Sequence, residues 1–118
     1  MATRVLVVDD HQSFRAFARA FLTAEGFDVV AEACDAASAL RAAAEFRPDL
    51  VLLDVRLPDG DGFDVADALA QTTPDPPVVV LCSSRDAASY RRRLARTSAA
   101  GFVAKRDLSG TALRAYIS

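Results

Sequence analysis

Five short apolar runs recur along the chain, at residues 5–8, 28–31, 50–53, 78–81 and 102–104, and most of their members are β-branched. They run almost unbroken rather than alternating with polar positions, which suits strands covered on both faces, as in a parallel sheet between two helical layers. Their starts lie 23, 22, 28 and 24 residues apart. Each interval holds one crossover helix and two short loops, which parallel pairing requires. The first interval places Phe14, Phe17, Phe21 and Leu22 on one helical face, with Gly26 set to end the helix. An alanine-rich stretch, Ala36–Phe46, predicts a second helix stopped by Arg47-Pro48. Further helices are predicted over 63–71, 86–97 and 108–117, and the loop 72–77 carries three prolines. The pattern is (βα)5: one α/β domain over residues 1–118, built as a doubly wound five-stranded parallel sheet.

In such sheets, sites form outside the carboxyl ends of the strands, where strand order reverses. The residues that follow the apolar runs are polar: Asp9 and Asp10 after the first, Asp54 after the third, Ser83 and Ser84 after the fourth, Lys105 after the fifth. If the strands take the order 2-1-3-4-5, one of the two common in doubly wound sheets, strands one and three are neighbours and their three acids converge. Three carboxylates at close quarters cannot all stay charged without a partner. A hard dication with oxygen ligands is the simplest partner, and Mg²⁺ fits best, since it takes a few carboxylates, waters and a substrate phosphate. A carboxylate can also be a nucleophile that becomes an aspartyl phosphate. Asp54, on the central strand, is the natural acceptor, with the Ser83 hydroxyl and Lys105 ammonium available to phosphoryl oxygens. Lys105 is the only lysine among 14 basic residues, and a compact ammonium suits a crowded anionic site better than a planar guanidinium.

Charge and composition narrow the picture. A net charge of −2 gives no electrostatic footing for nucleic-acid phosphates, so direct nucleic-acid binding is not expected. No apolar run approaches the roughly 20 residues of a membrane span, and the N-terminus enters a strand directly, so a cytoplasmic location is expected. Cys34 and Cys82 form no metal-binding pattern and read as small buried hydrophobes. His11, the only histidine, excludes multi-histidine metal sites and reads as a solvated residue at a helix start.

The ordered set VLVVDDH, LVLLDVRLPDGDG, VVVLCSS and GFVAK resembles the receiver domain of two-component response regulators, over essentially the whole chain. The wording DDHQSFR and SGTALRAYI resembles the subgroup often fused to a C-terminal helix-turn-helix; that module is absent from these 118 residues, and a stand-alone receiver of flavodoxin-like fold is expected. The resemblance implies that Asp54 accepts a phosphoryl group from a sensor histidine kinase. It implies that Asp9, Asp10, Asp54 and the backbone carbonyl of Arg56 hold Mg²⁺, and that Lys105 contacts the phosphate. Ser83 matches the switch hydroxyl, with Ser84 the alternative, and Phe102 the aromatic whose rotamer changes with it. A downstream protein would read the change, and phosphorylated receivers often form homodimers. No enzyme activity is implied beyond the domain's own phosphotransfer and dephosphorylation. The chain departs from common receivers at Arg106, where many carry a proline, at Gly60 in place of methionine, and at Ser98 in place of glycine.

Blander readings stand beside these. Asp9 and Asp10 could cap the first helix, Ser83 and Ser84 the fourth, and Arg91, Arg92 and Arg93 could be solvated surface. An aspartate-nucleophile phosphatase is the rival enzyme, but it would need a DxD pattern where this chain reads Asp9-Asp10-His11. A dinucleotide-binding domain lacks its glycine-rich turn after the first strand.

Overall fold

The computed structural model describes residues 2–117. Its main sheet contains β1 (Arg4–Val8), β2 (Asp28–Ala33), β3 (Leu50–Asp54), β4 (Val78–Ser83) and β5 (Gly101–Ala104). All neighbours pair in parallel, in the order β2-β1-β3-β4-β5 when these five are numbered alone. The helices are α1 (Gln12–Ala24), α2 (Ala36–Phe46), α3 (Gly62–Thr72), α4 (Arg91–Leu94) and α5 (Gly110–Arg114). The doubly wound sheet read from the strand spacing is therefore what forms.

Alternate residues of each strand feed opposite core layers. Leu6, Val8, Val51, Leu53, Val79 and Leu81 pack with Ala39, Phe63, Ala66 and Leu69 of α2 and α3. Val5, Val7, Leu50, Leu52, Val80 and Val103 pack with Ala18 and Leu22 of α1 and Leu113 of α5. Val5 to Val8 and Leu50 to Leu53 are essentially inaccessible, and a fully buried Val or Leu contributes about 1.5–3 kcal/mol by leaving water. This is why the central runs had to be apolar on both sides. It also fixes the backbone of β3 immediately before Asp54, whose register partner is Cys82.

The helix ends follow their local chemistry. Gly26 sits at φ +93°, the left-handed conformation that closes α1. Asp35 caps α2 through a reciprocal box with Ser38. Arg47, not a glycine, adopts the left-handed C-cap of α2 at φ 48°; the Arg4 guanidinium donates to its carbonyl at 2.9 Å, and Pro48 bars continuation.

Two predicted helices are shorter than their sequence windows. Residues 86–97 form a 3₁₀ turn (Ala87–Tyr90) followed by the single turn α4. Only Tyr90 and Leu94 of this stretch pack on the core, so four arginines and the small residues between them have no apolar face to propagate a longer helix. Residues 105–107 form a second 3₁₀ turn before α5, which starts at Gly110 with Ser109 as its cap. No cis peptide bond occurs among the described residues, so Arg106 follows Lys105 in trans. Cys82 is buried, but Cys34 is exposed beyond the end of the edge strand β2, where no further layer covers it. Among the described residues, no helix is long and apolar enough to cross a membrane.

Candidate functional site

The segment after β3 is a tight ribbon, Arg56–Leu57 paired antiparallel with Gly60–Asp61 around Pro58 and Asp59. Both Asp59 carboxylate oxygens accept from the first turn of α2, from Ala36 N at 2.7 Å and Ala37 N at 3.1 Å. Asp61 caps α3 by accepting from Asp64 N at 3.0 Å. A Cβ at Gly62 would lie 2.5 Å from the Asp54 carbonyl oxygen, so only glycine permits α3 to begin this close to the strand end. The turn-rich string after Asp54 thus anchors the loop on two helices and keeps the Asp54 backbone in place.

Asp9 is fully buried, and Asp54 nearly so. Asp9 Oδ2 accepts from Lys105 Nζ at 2.6 Å, while the same ammonium lies 3.7 Å from Asp54 Oδ2. Asp9 Oδ1 accepts from His11 N at 2.8 Å and lies 2.9 Å from His11 Nδ1, which is also 3.1 Å from Asp10 Oδ1. Ligand atoms of Asp9, Asp10, His11 and Asp54 all fall within 4.8 Å of one another. The acids of β1 and β3 do share one pocket. Neither acid after β1 caps α1: the cap position is His11, whose side chain makes no hydrogen bond to the first amides of the helix.

Opposite them, Ser83 is buried at the end of β4, in register with Ala104 just before Lys105. Its Oγ accepts from Arg85 N at 3.1 Å and is 3.2 Å from Tyr90 Oη. Ser84 is exposed, and the following 3₁₀ turn is capped by Asp86, which accepts from Ser89 N at 3.3 Å. Ser83 is therefore free of capping duty. Phe102 is half-buried on β5, its ring centroid 5.9 Å from that of Tyr90. A cleft of about 420 Å³ is lined by Asp10, Asp54, Arg56, Ser83, Tyr90 and Lys105, with Phe102 behind Tyr90 rather than in its wall.

Burial first, then the negative charge of Asp9, pushes the Asp54 carboxyl up to about 6, against the pull of Lys105 and the Arg56 amide. Burial also opposes charge on Asp9, but the Lys105 hydrogen bond, the His11 amide and the Lys105 charge outweigh it and hold Asp9 below its ordinary value. Burial disfavours the Lys105 ammonium, yet its bond to Asp9 and the charge of Asp54 raise it overall. The result is one firmly ionic pair, Asp9–Lys105, beside a carboxylate that is close to its titration point near neutrality. Cys82, beneath them, is pushed by burial to about 12 and stays a neutral thiol.

Four neighbours escaped the reading of the sequence. His11 joins the acid cluster although its side chain is largely solvated. Arg15 donates to the Asp9 carbonyl at 2.7 Å. The Phe14 ring lies under the Lys105 ammonium, 4.2 Å from ring centroid to nitrogen, a cation–π contact. Tyr90 reaches Ser83. Phe14 and Arg15 occupy the first turns of α1, directly above the end of β1; that adjacency was the available signal. Nothing marked Tyr90, because its position depends on where the short α4 begins.

Comparison with known proteins bears on this arrangement. The response regulator receiver domain model matches residues 5–117. The chain is 35% identical over 107 residues to the virulence transcription regulator BvgA of Bordetella pertussis, covering 91% of this chain and 51% of that protein. It thus spans about half the length of the curated relatives it matches. Among solved structures, the signal receiver domain of NarL from Mycobacterium tuberculosis superposes with a TM-score of 0.80 at 36% identity, covering 93% of this chain and 88% of that one. A LuxR-family two-component response regulator from Aurantimonas sp. SI85-9A1 superposes with a TM-score of 0.84 at 27% identity, over 98% and 81% of the two chains. With its (βα)5 sheet, its acid pocket and a family match over nearly its whole length, the chain belongs to the response regulator receiver domain family.

Proposed function

We propose that this domain is a phospho-accepting signalling switch in which Asp54 takes a phosphoryl group from the phosphohistidine of a sensor histidine kinase in the cytoplasm. The observation that carries the reading is the juxtaposition, in one cleft, of a buried carboxylate with two further acids, a buried hydroxyl and a lone ammonium. An Asp54 carboxylate oxygen attacks phosphorus, the bond from phosphorus to the imidazole nitrogen breaks, and the imidazole leaves with the electron pair. The in-line approach needs the acceptor held still, which β3 and the Gly62 contact provide.

The donor set suits Mg²⁺. Asp9, Asp10 and Asp54 offer hard carboxylate oxygens within 4.8 Å of one another, and the Arg56 carbonyl follows on the same loop. When bound, the ion supplies positive charge to the acceptor and to the transferring phosphoryl oxygens. Lys105 needs only to lean from Asp9 towards Asp54, a difference between 2.6 and 3.7 Å, to meet the same oxygens. Ser83 donates to another. In this reading the new charge on Asp54 biases Ser83, Phe102 and the α4 face between two arrangements, and a downstream protein or a second copy binds one of them. Asp9, sealed against Lys105, is a poor nucleophile, which disfavours the phosphatase alternative.

The test is mass spectrometry of the intact protein after acetyl phosphate and Mg²⁺. Wild type is expected to gain one phosphoryl group and Asp54→Asn none. An equal gain in both would place the chemistry elsewhere.

A further inference from the structure

The Ser83 hydroxyl has two lone pairs and one proton. One lone pair is taken by the Arg85 amide at 3.1 Å. The Tyr90 hydroxyl stands 3.2 Å away and makes no other hydrogen bond among the described residues. A phenol is a stronger acid than an aliphatic alcohol and is the better donor of the two. With Tyr90 donating, both lone pairs of Ser83 are filled and its proton is the only valence left. Ser83 Oγ is buried at the wall of the cleft that holds Asp54.

Tyr90 is well placed for this task. Its ring sits between Phe63 of α3 and Phe102 of β5, with both centroids 5.9 Å away and interplanar angles of 53° and 49°. The next turn of the chain is pinned by Arg93, whose guanidinium lies 4.3 Å over the Phe63 ring and 2.9 Å from Asp61. The hydroxyl is therefore aimed by three packed groups. Phe102 has no polar atom with which to do the same.

We infer that Tyr90 is a positioning residue: by donating to Ser83 Oγ it presets that hydroxyl as a donor towards the phosphoryl oxygens on Asp54. The inference rests on Asp54 being the phosphoacceptor. A chain of hydrogen bonds running from phenol to serine to an anionic oxygen strengthens along its length, because each donor is polarised by the next.

The experiment titrates wild type, Tyr90→Phe, Ser83→Ala and the double variant with beryllium fluoride at saturating Mg²⁺, reading the Asp54 and Ser83 amides by NMR. Phenylalanine keeps the ring between Phe63 and Phe102, so packing is retained. Tyr90→Phe is expected to bind about three- to tenfold more weakly, the worth of one neutral hydrogen bond. Ser83→Ala is expected to weaken binding more than tenfold, and Tyr90→Phe to add nothing in that background. The phenol-carbon signal of Tyr90 in the ligand-free protein is expected to move in Ser83→Ala, a readout that ring packing alone would not produce. Unchanged or tighter binding by Tyr90→Phe, or the same loss with and without Ser83, overturns the inference while leaving the acceptor reading intact. No response of the Asp54 amide in wild type overturns both.

Discussion

Replacing Asp54 by its neutral isostere should make the fold more stable. Asp54 is nearly buried, faces Asp9, and has its carboxyl raised from 3.8 to about 6. At neutral pH its ionised form is therefore a cost to the folded state. At about 1.36 kcal/mol per pH unit the full shift corresponds to about 3 kcal/mol. The pocket is open to solvent at its rim, so roughly 1–3 kcal/mol is the expected gain for Asp54→Asn at pH 7.5. For a domain of this size that is a rise of about 4–12 °C in Tm. The sign follows from linkage. Between 3.8 and about 6 the folded state binds the proton and the unfolded chain does not, so wild-type stability falls as pH rises through that window. The advantage of Asp54→Asn should accordingly be about halved at pH 5 and largely gone near pH 4. Urea titrations of both proteins at several pH values, without Mg²⁺, measure it. A variant no more stable than wild type at pH 7.5, or a difference that stays constant down to pH 5, would refute the electrostatic account of the site.

The same titration opposes cation binding: a proton on Asp54 must leave before a hard cation is held, so Mg²⁺ affinity, read from the Asp54 amide by NMR, should weaken as pH drops below about 6. Lys105→Met should leave the buried Asp9 charge unpaired and cost about 3–5 kcal/mol at neutral pH, visible as an early urea transition. Asp59→Ala removes the two oxygens that accept from Ala36 and Ala37, leaving the Asp35 cap in place, and should cost about 1–2 kcal/mol, with faster amide exchange at Ala36 and Ala37. Arg47→Gly relieves a left-handed backbone at φ 48° and should stabilise by roughly 0.5–1 kcal/mol, read as a higher Tm.

Much of this molecule could be read from residue order, for identifiable reasons. The sheet was legible because strands buried on both faces must be apolar throughout, and the intervals between them admit one helix each. The acid pocket was legible because charged residues stand where such runs stop, and strand order brings two of those stops together. Ser83 over Ser84 is separated by burial, which depends on strand β4 continuing to residue 83. The length of the fourth helix was not legible: Arg91 to Arg93 are compatible with helix, and only the scarcity of packing partners shortens it. Tyr90 and Phe14 escaped because an aromatic that serves a site by its edge or face looks, in the one-dimensional string, like any other core residue.

The brevity of α4 carries a mechanical consequence. The strand bearing Asp54 is clamped by neighbours on either side, so any chemistry at its carboxylate meets an unyielding seat. The segment from residue 86 to 97 is fastened at few points, chiefly Tyr90, Leu94 and the Arg93–Asp61 pair. Little work is needed to loosen or reseat it. A change worth only a few kcal/mol can therefore reshape the outer surface of this domain without disturbing its central strands.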